Sequence, residues 1–416
     1  MSVLEDVGGE KISGARSATG GVHPMEGAST GPIRPRIKKL DPKLRRRRPK
    51  FSSEPNLASR LLWRLKEDSQ FLRSTIQMAF ALLCVWIGIE FYYFVRWGTS
   101  GGEAAFHPRP PGSEGFLPIS ALISLSYWIQ TGIINGIHPA GLFILVAILA
   151  LGLLFKKSFC SWLCPVGTLS ESLWMLGKKV FGRNFRAPRW LDYPLRSLKY
   201  LLALFFVASV SQMDAGSLKA FIESPYNKVA EIKMYLFFAG ITPFALWTIV
   251  ILALASVFIN NFWCRYLCPY GAILGALSWL SPLKITRTKS SCIDCQLCTK
   301  ACPALIRVHE AGTRSPGAPA GKVWNDECSA CLLCVEACPV VDTLEVRSSV
   351  GGARVPAWVF GCLVAGVFVA ITGLAILTGH WKNRLSNDEY IMRFKNIDSP
   401  LYQHFRGRVP DYGPND

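Results

Sequence analysis

Acidic side chains are scarce in this chain: 28 Asp and Glu stand against 46 Lys and Arg, and only 18% of the 416 residues are charged. With 50% hydrophobic residues, 13 Trp and a positive mean hydropathy, the chain is too apolar for a soluble protein of net charge +18. The composition therefore points to an integral membrane protein. Three further absences narrow the chemistry. No C-x-x-C-H sequence occurs, so covalent haem attachment has no site. No glycine-rich nucleotide fingerprint follows a plausible strand, which removes support for NAD or FAD. No small-residue cleavage site follows the first apolar run, so that run reads as a retained anchor although Arg45 to Arg48 precede it.

The positive charge is concentrated. Residues 34–50, RPRIKKLDPKLRRRRPK, carry ten Lys and Arg against the single Asp41. Directly before an apolar span, such a run marks a cytoplasmic flank facing anionic lipid headgroups, and not a nucleic-acid partner. Residues 1–66 are expected to form a disordered basic segment. Apolar runs long enough for about 30 Å of hydrocarbon lie near 72–95, 138–156, 197–213, 236–260 and 356–379. The stretch 117–135 is expected to be a re-entrant or interfacial segment at the outer face. If it does not cross, the basic N-terminus, Lys156, Lys157 and every cysteine motif fall on the cytoplasmic side. The expected class is a mainly α integral membrane protein of the bacterial inner membrane. It has about five transmembrane helices, a membrane domain over 67–283, a small cytoplasmic α+β domain over 284–350, a last helix over 351–380 and an extracytoplasmic tail over 381–416.

Cysteine is what the chain has in quantity. CIDCQLCTKACP places Cys292, Cys295, Cys298 and Cys302 before Pro303, and CSACLLCVEACP places Cys328, Cys331, Cys334 and Cys338 before Pro339. Each run is C-x-x-C-x-x-C-x-x-x-C-P, the spacing that wraps three thiolates around one [4Fe–4S] cube and sends the fourth to its neighbour. The expected ligation is crossed: Cys292, Cys295, Cys298 and Cys338 on one cluster, Cys328, Cys331, Cys334 and Cys302 on the other. Tetrahedral zinc has no use for the third regularly spaced Cys, the Cys-Pro ending or the duplication. Free thiols at this spacing also imply a reducing compartment.

A second motif is repeated within the membrane part. LLFKKSFCSWLCPVG around Cys160 and Cys164 aligns with VFINNFWCRYLCPYG around Cys264 and Cys268. In each, an apolar helix ends at C-x-x-x-C-P-x-G and a second apolar helix follows. Two thiolates do not complete a cubane, but two related halves supply four, so all four are expected to converge on one further iron–sulfur cluster. One cluster per pair, or structural thiols, are the alternatives. Cys84 and Cys362 have no partner at ligand spacing and read as small hydrophobes. His107, His138, His380, His404, Glu90, Arg96, Asp214 and Glu223 fall on the outer side, where a quinone site would need a proton acceptor. Singly, each reads as a helix cap or an interfacial anchor.

Together these motifs resemble the membrane polyferredoxin family, which includes NapH-type subunits, the membrane half of NosR-type regulators and CcoG-type assembly factors. The resemblance covers roughly residues 70–380. It implies electron transfer among the quinone pool, cytoplasmic carriers and an extracytoplasmic cytochrome or reductase, with iron held by the twelve motif cysteines. An assembly or regulatory role, reducing a metal ion or sensing redox state, is the alternative it carries. The chain departs from NosR-type proteins in lacking room for a flavin-binding domain before the membrane part. It departs from NapH-type chains in adding a span at 356–379 and a tail, expected to form a strap docked on a partner or a disordered end.

Overall fold

The computed structural model describes residues 56–182, 184–185, 187–312 and 320–403, so the basic segment at 34–50 and His404 lie outside the described residues. The first half contains α1 Leu57–Glu67, α2 Ser69–Thr99, α3 Pro118–Thr131, α4 Pro139–Phe155 and α5 Pro165–Phe181. Then come α6 Arg189–Ser211, α7 Ala215–Glu223, α8 Ala230–Ala239, α9 Pro243–Phe258 and α10 Pro269–Leu277. Strands β1 Leu283–Thr288, β2 Ala320–Lys322, β3 Leu344–Ser348 and β4 Arg354–Val355 follow, before α11 Ala357–Leu377 and α12 Asn387–Lys395.

The protein is mainly helical, and among the described residues three helices are long and apolar enough to cross a membrane: α2, Trp190–Ser211 within α6, and α11. The other two expected spans take different forms. The run at 138–156 is the 17-residue α4. The run at 236–260 is the pair α8 and α9, bent by 83°. The bend has a local cause: Gly240 ends α8, Thr242 caps α9 by accepting from the Ala245 N–H, and Pro243 cannot continue a preceding helix. The stretch 117–135 forms the 14-residue α3, closed by left-handed Gly132. At about 21 Å it is too short to cross.

The longest helix organises the rest. Asp68 starts α2 by accepting from the Gln70 and Phe71 N–H groups. Near that end, Gln70 Nε2 donates to the Cys331 carbonyl at 3.1 Å and Ser69 Oγ to Glu336 at 3.1 Å, so the strand-bearing module sits there. At the far end, Phe91, Phe94 and Trp97 pack with Tyr390 and Phe394 of α12 and with Tyr402. Gly98 permits this docking, since a Cβ there would lie 2.1 Å from the Phe394 ring. The tail strap, expected to meet a partner, thus docks on its own chain. Residues 70 and 94 of α2 are about 36 Å apart, enough to put hydrocarbon between the two ends.

A second buried centre lies beside the tail. Arg109 bonds both Glu231 and Glu114, the latter at 2.5 Å, while Ser113 Oγ donates to Glu231 at 2.6 Å. Both carboxylates are fully buried. Burial alone would raise the Glu114 carboxyl, but Arg109 and His138 outweigh it and hold it below its usual range. Arg109→Ala would strand two buried carboxylates at a cost of about 3–5 kcal/mol. A markedly lower thermal midpoint of the detergent-purified protein is expected.

The strands form one antiparallel sheet in the order β2-β1-β3-β4, with Ile285 opposite Val346 in the central pair. Ile285 and Val346 belong to the same buried apolar cluster as Leu72 of α2, Phe155 of α4 and Phe360 of α11. The sheet module is therefore packed onto the helices through continuous core.

Candidate functional site

The two long cysteine motifs fold alike. In each, the residues flanking the second Cys are left-handed without being glycine: Asp294 and Gln296 in one, Ala330 and Leu332 in the other. Non-glycine residues occupy this region at a cost, and the same strain at matching places marks a loop shaped for its contents. The loop turns the Leu297 N–H onto the Cys295 sulfur and the Leu333 N–H onto Cys331. Each loop then enters a one-turn helix, Leu297–Lys300 or Leu333–Glu336.

The eight thiols separate into two groups of four, and the division crosses the sequence. Cys292, Cys295, Cys298 and Cys338 line one cavity; Cys302, Cys328, Cys331 and Cys334 line another. Burial pushes the Cys298 and Cys302 thiols up to about 12 and Cys334 well above its usual value. Such thiols become thiolates only when a bound cation offsets the charge, as iron does. Among the described residues, no three His, Cys, Asp or Glu side chains converge on a point that would hold a single metal ion. Each set of four cysteines lines a cavity of its own.

The third group comes from the two halves of the membrane part. Cys164 and Cys268 are the N-caps of α5 and α10, each held extended by the proline that follows. Each of Cys160, Cys164, Cys264 and Cys268 lies within electrostatic reach of the other three. Burial raises Cys160 and Cys264 and pushes Cys164 up to about 11. The halves interlock to achieve this: α5 packs on α9, and α10 packs on α4. Glycines permit both crossings, with Gly177 against the Val257 carbonyl and Gly152 against Leu274.

The glycine that closes each C-x-x-x-C-P-x-G has a related task. A Cβ on Gly167 would lie 2.1 Å from the Cys160 carbonyl oxygen, and one on Gly271 would lie 3.1 Å from that of Cys264. The first clash is with backbone and cannot be relieved by a rotamer. Gly167→Ala is expected to cost on the order of 3 kcal/mol. Loss of whatever the four thiols bind, read by iron analysis and spectroscopy, is the check.

The residue after the first Cys of each repeat reaches into the sheet module. Ser161 Oγ donates to the Ser329 carbonyl at 2.7 Å, beside Cys328. Arg265 Nη1 donates to the Ala304 carbonyl at 3.0 Å, two residues past Cys302. Between these clasps a third cavity is lined by Cys160, Cys264 and Cys331 together with Lys157, Arg73 and Glu327. The membrane thiols thus adjoin the Cys302 group. The Cys292 group lies beyond it, with Cys298 in electrostatic reach of Cys334.

Two descriptions match this chain: a 4Fe-4S binding domain at residues 137–184 and again at 241–288, and a 4Fe-4S dicluster domain at 284–339. The chain is 39% identical over 336 residues to a proposed electron transport protein, YccM, of Escherichia coli (strain K12), covering 80% of this chain and 92% of that protein. The chain belongs to the membrane polyferredoxin-type family. Within it, the methylamine utilization ferredoxin-type protein MauN of Methylorubrum extorquens is 26% identical over 268 residues, 61% of this chain and 79% of that one. Regulatory protein NosR of Pseudomonas aeruginosa is 29% identical over 195 residues, 45% of this chain but 24% of its own. No solved structure matches the chain. As a membrane polyferredoxin-type protein it carries iron–sulfur binding domains in both of its cysteine-rich parts.

The residues expected on the outer side take separate partners. His107 pairs with Glu90, and His138 Nε2 lies 2.7 Å from the Asn227 carbonyl with Nδ1 3.7 Å from Glu114. Asp214 caps α7, while Arg96 and Glu223 are exposed. His380 lies against Phe143. Cys362 is exposed on α11, and Cys84 of α2 lies in electrostatic reach of Cys164, a proximity that spacing along the chain does not reveal. Sequence reasoning also missed Lys157, which it used only as a topology marker. Its signal was position: a lysine three residues before Cys160 where the second repeat has Asn261.

Proposed function

We propose that the chain is a membrane-bound iron–sulfur electron-transfer subunit, carrying electrons between the quinone pool or a cytoplasmic carrier and a partner redox protein. In this reading Cys292, Cys295, Cys298 and Cys338 hold one [4Fe–4S] cluster, and Cys302, Cys328, Cys331 and Cys334 a second. Cys160, Cys164, Cys264 and Cys268 hold one further iron–sulfur cluster. Such clusters accept and release single electrons at potentials set by charge, burial and hydrogen bonds to sulfur. The observation that carries the reading is the pair of clasps from Ser161 and Arg265, which join the membrane thiols to the loops of the Cys302 group. They support a linear order: membrane group, Cys302 group, Cys292 group.

The proposed orientation puts the N-terminus and the module over 284–350 in the cytoplasm, with the tail outside a bacterial inner membrane. Support comes from α2, which separates the module and the tail by about the thickness of a bilayer. In the proposed topology α4 and the bent α8–α9 pair complete five spans. Reporter fusions test this: a cytoplasmic reporter joined after Gly182 is expected to be active, and activity of a periplasmic reporter there would contradict it. Function is tested by company. Gentle detergent extraction is expected to retain a cytochrome or reductase subunit that is reduced by the dithionite-reduced chain. Loose association with an oxidase during assembly would instead favour a regulatory or assembly role, which the likeness to NosR supports.

A further inference from the structure

Three buried charges meet where the membrane thiols face the sheet module. Lys157 Nζ lies 3.2 Å from Glu327 Oε2, and Lys199 Nζ bonds the other carboxylate oxygen, Oε1. Side-chain exposure is 4% for Lys157, 6% for Glu327 and none for Lys199, so this is no surface ion pair. Two ammonium groups share one carboxylate, leaving one net positive charge in a water-poor place.

Lys157 is bound to the membrane thiol site by geometry. Its carbonyl accepts from the Cys160 N–H at 3.2 Å, starting the turn that carries Cys160. Its ammonium end packs 3.4 Å from where a Cβ on Gly271 would sit, beside the Cys264 carbonyl. It therefore stands between the first cysteines of the two repeats and lines their cavity. Burial works to neutralise Lys157, but Glu327 and the nearby sulfurs more than reverse this, holding the group charged well above its usual value. The arrangement is asymmetric, because Asn261 fills the matching place in the second repeat. Glu327 itself immediately precedes Cys328 of the adjoining group.

We propose that Lys157, held in place by Glu327 and backed by Lys199, is a positioning charge that sets the reduction potential of the Cys160, Cys164, Cys264 and Cys268 site. This rests on the reading that those four cysteines hold an iron–sulfur cluster. One-electron reduction adds one negative charge to such a site. A fixed cation in a low-dielectric surrounding stabilises the reduced form and raises the potential, and a fixed carboxylate does the opposite. The device thereby sets how readily the membrane site exchanges an electron with the adjoining Cys302 group.

The test is a redox titration of the full-length chain in detergent, poised with dithionite and mediators and followed by EPR. Lys157→Met is expected to lower the potential of the four-cysteine signal. Glu327→Gln, which frees both ammonium charges, is expected to raise it. Lys199→Met should lower it less than Lys157→Met, since Lys199 acts from behind the carboxylate. The signal of the Cys292 group, the most remote of the three, is the control and should titrate as in the native protein. Because the variants shift in opposite directions, general loosening of the site cannot mimic the pattern. If one variant loses the signal, the other two still decide. An unshifted four-cysteine signal, or shifts of the same sign in Lys157→Met and Glu327→Gln, would overturn the proposal. Failure of the underlying reading looks different: the native protein itself would show no reducible signal lost on Cys164→Ala.

Discussion

Cys302→Ala is expected to extinguish the EPR signal that Cys331→Ala also extinguishes, and to leave the signal that depends on Cys295. Cys338→Ala is expected to do the reverse, joining Cys295 and sparing the Cys331 signal. Each variant is expected to lose iron from one cluster only, because removing one of four thiolates weakens the hold on that cluster. The expectation follows from the cavities: Cys302 lines the one formed by Cys328, Cys331 and Cys334, although it ends the other motif in sequence. Cys338 in turn lines that of Cys292, Cys295 and Cys298. If Cys302→Ala and Cys295→Ala silenced one and the same signal, each motif would serve its own cluster and the crossed arrangement would be wrong.

The second large effect concerns the membrane thiols. Cys164→Ala and Cys268→Ala lie in different repeats, more than a hundred residues apart, yet both are expected to abolish one identical signal. Each of the four sulfurs lies within electrostatic reach of the other three, which supports a single shared site over one site per repeat. Loss of two independent signals would show that each repeat binds its own cluster. The signals of the Cys292 and Cys302 groups should persist in both variants, because the module is held by many contacts besides these thiols, such as the Trp162 indole donating to the Ala330 carbonyl.

The cysteine motifs and the repeat were legible because their chemistry is local: ligand spacing and a Cys-Pro-x-Gly turn are written in consecutive residues. The interlocking of the halves was not, since it depends on Gly152 and Gly177, whose meaning appears only once their opposite helices are known. The long apolar run at 236–260 reads as one span by hydropathy, and the bend at Gly240 to Pro243 is a local override that a window average smooths away. Tail docking was hidden for a similar reason. Gly98 looks like an ordinary helical glycine until Phe394 fills its face. Charges were the least legible. Lys157, Glu327 and Lys199 are distant in sequence, and nothing in their separate neighbourhoods announces a shared buried bridge.

Iron and acid-labile sulfide analysis of anaerobically purified protein, paired with EPR after dithionite reduction, meets the central claim head on. The account predicts about twelve iron and twelve sulfide per chain, reducible to signals from three centres. Protein holding zinc alone, or iron without a reducible cluster, would contradict it.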